Sequence, residues 1–178
     1  SPTLTGQVRI SGFPFRESDP HVFHPLFDAD ATEDTSMAAI AGTGGTGITV
    51  FDLSSKSSPR VAYQNHEKEA KQVYVTSQIT GQGKRHFGFL AVTQGSPTAG
   101  LLAFDMTAAK AFTSCAETTP DGATQCAGVY LGRVGTKTYA EYVDGVDSYV
   151  VVSAGAQRGL EIWDISNIAN PPNRFQLK

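Results

Sequence analysis

The sequence predicts an all-β chain of repeated four-stranded antiparallel meanders, and three observations carry that prediction. An eight-residue pattern occurs three times, as GITVFDLS at 47–54, GLLAFDMT at 100–107 and GLEIWDIS at 159–166. In each copy a glycine stands five residues before an aspartate, an aromatic residue (Phe51, Phe104, Trp163) precedes the aspartate, and a hydroxyl residue follows two positions later. The aspartates lie 53 and 59 residues apart, the interval of a propeller-blade-sized repeat. Each copy also follows another β-type run (MAAIAG, FGFLAVTQG, YVVVSAG) across a short connector that ends on the repeat glycine. Finally, 18 Gly and 9 Pro supply frequent turns, while 40% hydrophobic residues suffice for a core.

The elements follow in chain order. Within residues 1–19, GQVRISG reads as the last strand of a preceding blade. The first blade, about 20–65, runs through HVFHPLFDADA, MAAIAG, GITVFDLS and a fourth strand after the turn SSKSSPR. The second, 66–134, uses KQVYVTSQI, FGFLAVTQG and GLLAFDMT, then reaches AGVYLGR after a cysteine-bounded loop. The third, 135–178, uses KTYAEYVDG, YVVVSAG, GLEIWDIS and the strand in NRFQLK; DGVD at 144–147 reads as a hairpin turn on Gly145. Ile48 and Val50 share one face of the motif strand and Phe51 and Leu53 the other, and Leu160 and Ile162 oppose Trp163 and Ile165 in the same way. A strand apolar on both faces belongs to a sheet covered on both sides, as in stacked blades.

GTGGTG at 42–47 matches the G-x-G-x-x-G of a dinucleotide loop, but a β-branched strand follows it where that chemistry needs a helix N-terminus. It reads as a hairpin connector. Asp52, Asp105 and Asp164, with Ser54, Thr107 and Ser166, read as turn anchors that bond nearby backbone groups. Cys115 and Cys126 bracket a polar loop and predict one disulfide worth about 2–3 kcal/mol. That bond places the chain in an oxidising compartment: extracellular, periplasmic or cell-surface.

GLEIWDISNIANPP, preceded by SYVVVSAG, resembles the LVIVD-repeat β-propellers, and GITVFDLSSKSSPR is similar to them as well. The second copy departs at Met106, lacks the proline and carries the cysteine loop. The resemblance spans about Met37 to Lys178 and implies a secreted or surface-anchored propeller of six or seven blades. Closure of a ring needs at least four. The chain therefore reads as a fragment, as a ring completed by partner chains, or as one with a further blade hidden before residue 37. Its opening, SPTLTG, reads as a mature, trimmed or truncated start.

The chemistry is sparse. Four oxygen-bearing residues, Asp28, Asp30, Glu33 and Asp34, form a calcium candidate, although Thr32 and Glu33 break the loop pattern for that ion. His21 and His24 fall on opposite faces of an extended strand, and His66 lies in a charged connector. No lipase-type serine motif, zinc motif or phosphate loop occurs. A net charge of −3 without a basic stripe speaks against nucleic acid, and no apolar run reaches membrane-spanning length. The expectation is a non-catalytic module that contacts proteins or copies of itself, with no cofactor beyond the candidate calcium. The alternatives are an enzyme or calcium-dependent module using the propeller channel or acidic loop, and a structural subunit of a filament or envelope complex.

Overall fold

The computed structural model describes residues 26–42, 47–65, 70–93, 99–112, 115–117, 126–134, 140–154, 159–170 and 174–178. The expected strand in residues 1–19, the histidines at 21, 24 and 66, and the tip of the cysteine loop lie outside them.

Among the described residues strand predominates and helix is limited to one short turn, and the strands form three sheets that each contain a four-stranded antiparallel meander. The first sheet orders β1 (Leu26–Ala31), β2 (Met37–Gly42), β3 (Gly47–Asp52) and β4 (Arg60–Asn65). The middle sheet orders β5 (Ala70–Thr80), β6 (Gly83–Val92), β7 (Gly100–Asp105) and β9 (Tyr130–Val134). The third orders β10 (Tyr142–Val146), β11 (Tyr149–Ser153), β12 (Leu160–Asp164) and β13 (Gln176–Leu177). The three motif copies are thus the third strands β3, β7 and β12. A bulge recurs just before the motif aromatic, between Val50 and Phe51 opposite β4 and between Ala103 and Phe104 opposite β9.

Between β7 and β9 the chain makes a helical turn, α1 (Met106–Ala109), and then β8 (Cys115–Glu117), which joins the first sheet parallel to β4. The Cys115–Cys126 disulfide is formed. Since Cys126 precedes β9, the bond ties a strand of the first sheet to the approach to the middle one.

Two cores separate the three sheets. Because side chains alternate along a strand, β7 feeds both: Leu102 and Phe104 enter the first core, Leu101 and Ala103 the second. In the first core they meet Ile48 and Val50 of β3, with Val73, Val75, Leu90 and Val92 of the middle sheet. In the second, Phe87, Phe89 and Ala91 meet Val143, Val150, Val152, Ile165 and Ile168. Each fully buried Leu, Val or Phe stabilises the stack by about 1.5–3 kcal/mol against leaving it in water.

Two expectations are corrected. Leu160 is 66% and Ile162 41% exposed, so among the described residues the third sheet is covered on one face only. Trp163 and Ile165 face the second core, whereas Leu160 and Ile162 look away from the middle sheet. Nor is Gly145 a turn residue: it lies in β10 paired with Val150, and the turn falls at Asp147 and Ser148, where Asp147 takes a φ of 53°. A glycine within a strand marks a close approach, and here the neighbour is the ring of Tyr74 on β5.

Candidate functional site

The three motif aspartates each close a turn and hold a cation. Asp52 Oδ1 accepts from the Ser54 amide at 3.0 Å and hydroxyl at 2.6 Å, and its Oδ2 accepts from Arg60 at 2.8 Å. Burial alone would raise this carboxyl, but the Ser54 and Arg60 contacts outweigh it and hold the group below its ordinary value. Asp105 caps α1 by accepting from the Ala108 amide at 2.8 Å, and pairs with Arg85. It is the most deeply buried of the three, and burial pushes its carboxyl up while Ala108 and Arg85 pull it part of the way back. Asp164 accepts from the Ser166 amide at 2.9 Å and meets Lys178 at 2.9 Å. Ser166 first, and Lys178 after it, hold Asp164 at about 2. The cations were invisible in the motif itself, because other segments of the chain supply them: Arg60 lies directly opposite Asp52, while Arg85 and Lys178 stand two residues from the strand partners of Asp105 and Asp164.

The acidic segment does not converge. Asp28 and Asp30 project from the same face of β1 toward β5. There Asp28 Oδ2 accepts from the Val73 amide at 3.1 Å and Asp30 Oδ2 from the Val75 amide at 2.7 Å. Glu33 is exposed in the turn after β1. Asp34 accepts from the Thr32 hydroxyl at 2.7 Å and the Ser36 amide at 3.0 Å. Among the described residues, no group of three or more His, Cys, Asp or Glu is placed to hold a metal.

What the first two aspartates do instead is join sheets. β1, β5 and β10 are each the free edge of their sheet. Edge strands present unpaired amides, and these edges are linked by side-chain oxygens. The device recurs between β5 and β10, where Gln72 Oε1 accepts from the Val143 amide at 2.8 Å. Alternating carboxylates on DADA are its trace in the sequence, but only the strand positions show which amides they meet.

Near the ends of these strands lies a polar cavity of about 320 Å³, lined by Thr32, Glu33, Tyr74, Ser77, Val146 and Asp147 among others. Ser77 bonds His86 Nδ1 at 2.8 Å, and His86 Nε2 faces the Ser36 hydroxyl at 3.4 Å and Asp34 at 3.5 Å. The order Asp34–His86–Ser77 has the outline of a nucleophile triad, yet its members span two sheets and Asp34 is committed to its own turn. It works as a latch between the first and middle sheets. Burial lowers the His86 pKa, favouring the neutral ring, with the Asp34 charge opposing it.

The remaining feature is the uncovered face of the third sheet. Tyr142, Val146, Tyr149, Leu160 and Ile162 are all exposed there, and strand register places them on one side. Exposed apolar side chains thus gather on one face of this sheet.

No family model matches the chain, and no curated protein matches it. Among solved structures, it is similar to KlHsv2 with loop 6CD replaced by a Gly-Ser linker. The identity is 12% and the TM-score 0.45, and the match covers 87% of this chain and 40% of that one.

Proposed function

We propose that the chain is a protein-contact module, built of β-propeller blades, that docks other protein through the open face of its third sheet. One observation carries this reading. The motif residues four and two places before the aspartate are buried in the first two sheets (Ile48 and Val50, Leu101 and Ala103) but exposed in the third as Leu160 and Ile162. The same face of the same repeat is covered twice by a neighbouring sheet and once by nothing among the described residues. The motif's likeness to LVIVD-repeat propellers supports the blade reading, and the disulfide supports an oxidising, extracellular or surface setting.

The test is native mass by light scattering, with intact mass of every chain in the particle. Isolated from its source, the wild type is expected in a particle larger than its own 18.9 kDa, and the Leu160→Glu/Ile162→Glu variant as a free chain. A wild-type monomer that binds no apolar dye refutes the proposal.

A further inference from the structure

Resting on that reading, we infer that the partner is itself a four-stranded meander of this repeat type, and that Asp144 clamps a backbone N–H of its innermost strand. The strand registers make the positions equivalent. Asp30 lies in one row with Ala39 and Val50, Tyr74 with Phe89 and Ala103, and Asp144 with Val151 and Ile162. In the first sheet that face, with Asp30 at its inner edge, receives the middle sheet. In the middle sheet the equivalent face receives the third. The third sheet offers the same face again, with Asp144 where Asp30 stands.

The local geometry repeats as well. Asp30 Oδ1 accepts from the next amide, Ala31, at 2.8 Å, and Asp144 Oδ1 accepts from the next amide, Gly145, at 2.7 Å. Asp30 uses its second oxygen to grip the Val75 amide of the neighbouring sheet. The second oxygen of Asp144 meets no donor among the described residues, and the side chain is exposed. Beside it, Tyr142 takes the position of Asp28 and Gln72, the two other residues that hold a neighbouring edge amide. An apolar face with an oriented carboxylate at its inner edge is half of the interface that joins the first sheet to the middle one; the middle sheet meets the third with Tyr74 in that row and Gln72 as the acceptor. A bond from a strand amide to a carboxylate is charge-assisted and among the stronger kinds.

The occupant is a meander from outside these three. To repeat the interface, a second copy would have to present the opposite face of one of its own sheets. In the middle and third sheets that face lies in a core. In the first sheet it carries Thr49 and Phe51, already 1% and 7% exposed. The incoming face is apolar, with an aromatic residue at the position of Phe104 and Trp163.

The experiment extends the full chain by placing a second copy of residues 66–134 directly after Lys178, as a probe meander. The four residues 66–69 are the link the chain itself uses between β4 and β5. Hydrogen exchange is followed by mass spectrometry on Tyr142–Val146 and on the probe's copy of β5, with Asp144 intact, with Asp144→Ala and with Ile162→Glu. The expected result is slowed exchange in both segments, roughly tenfold faster exchange with Asp144→Ala, and no protection with Ile162→Glu. Protection that depends on Ile162 but not on Asp144 overturns the clamp and leaves the open face as a contact surface. Protection indifferent to both, or none in any version, overturns the meander partner, while the native-mass test judges the contact reading independently. Dimerisation through this face with the probe unprotected makes a second copy the occupant and overturns the inference. Asp144→Ala in the unextended chain should leave the melting temperature unchanged, which separates the clamp from general damage.

Discussion

Gly145→Ala puts the packing of the second core to a direct test. A methyl group at this position would lie 2.5 Å from Tyr74 Cε1, 2.8 Å from Tyr74 Cζ and 2.6 Å from the Tyr149 carbonyl oxygen. Carbon contacts are comfortable at about 3.5–4.0 Å, so roughly 1 Å of movement is required. The Tyr74 ring cannot simply leave, because it stacks on Phe89 with centroids 6.3 Å apart. The Tyr149 oxygen is backbone in the same β10–β11 hairpin, so that clash must distort the hairpin itself, while relief from the Tyr74 ring draws β10 away from β5 and weakens the Gln72 bond to the Val143 amide. Overpacking costs about 1–3 kcal/mol, and a clash with backbone belongs at the upper end, near 3 kcal/mol. For a domain of this size that lowers the melting temperature by about 6–12 °C. Gly81→Ala is the control: its Cβ meets nothing within 4 Å, and the change should be neutral or stabilise by up to about 1 kcal/mol. Adding Tyr74→Ala removes two of the three clashes, so the double variant should lose about 1–2 kcal/mol less than the two single losses combined. A Gly145→Ala protein within about 0.5 kcal/mol of wild type in urea unfolding would refute the close approach of β5 and β10.

Three further outcomes follow from the same contacts. His86 has a folded pKa below 6.5, so its contribution to stability is full above that value and is lost as pH falls through the folded one. The charged groups around the ring are Asp34, Lys110, Lys84 and Asp105; urea midpoints at about pH 7.5 and pH 5 should differ more in wild type than in His86→Gln, and equal differences would contradict the latch. Replacing both Cys115 and Cys126 by Ser should cost about 3 kcal/mol in urea unfolding, and a thiol assay on the denatured, unreduced chain should find no free thiol. Phe104→Ala, which removes the ring between Tyr63 and Tyr130, should cost about 3–5 kcal/mol by calorimetry, and a loss under 1 kcal/mol would place Phe104 outside the first core.

The repeat was legible because its period is imposed by local chemistry. A glycine at the hairpin, β-branched and aromatic residues on the strand and an aspartate at its exit are requirements of neighbours in sequence, so all three meanders could be placed. The crossing of β8 was not legible. CAE carries no signal that it will pair with a strand some 50 residues earlier, since parallel pairing is decided by where α1 delivers the chain. The exposure of Leu160 was hidden for a related reason: its pattern matches that of Ile48, and only the arrangement of sheets tells a covered face from an open one. Asp28 and Asp30 mislead more subtly. Clustered carboxylates suggest a cation, yet their partners here are amides, and a sequence does not show edge amides.

Those edge amides explain how three meanders stack without fusing into one sheet. If β1, β5 and β10 paired by backbone ladders, the faces of successive sheets would run on as a single surface and the cores between them would be lost. Side-chain oxygens satisfy the amides from the side, so each sheet stays separate and the next can lie over its apolar face. The same choice fixes direction. Asp28 and Asp30 reach forward to β5, and Gln72 reaches forward to β10. Acceptors lie on one face and the amides they hold belong to the next sheet, so the stack has a head and a tail. The head of this directional stack carries Asp144 and exposed apolar side chains, and the proposed docking of one more meander rests on that asymmetry.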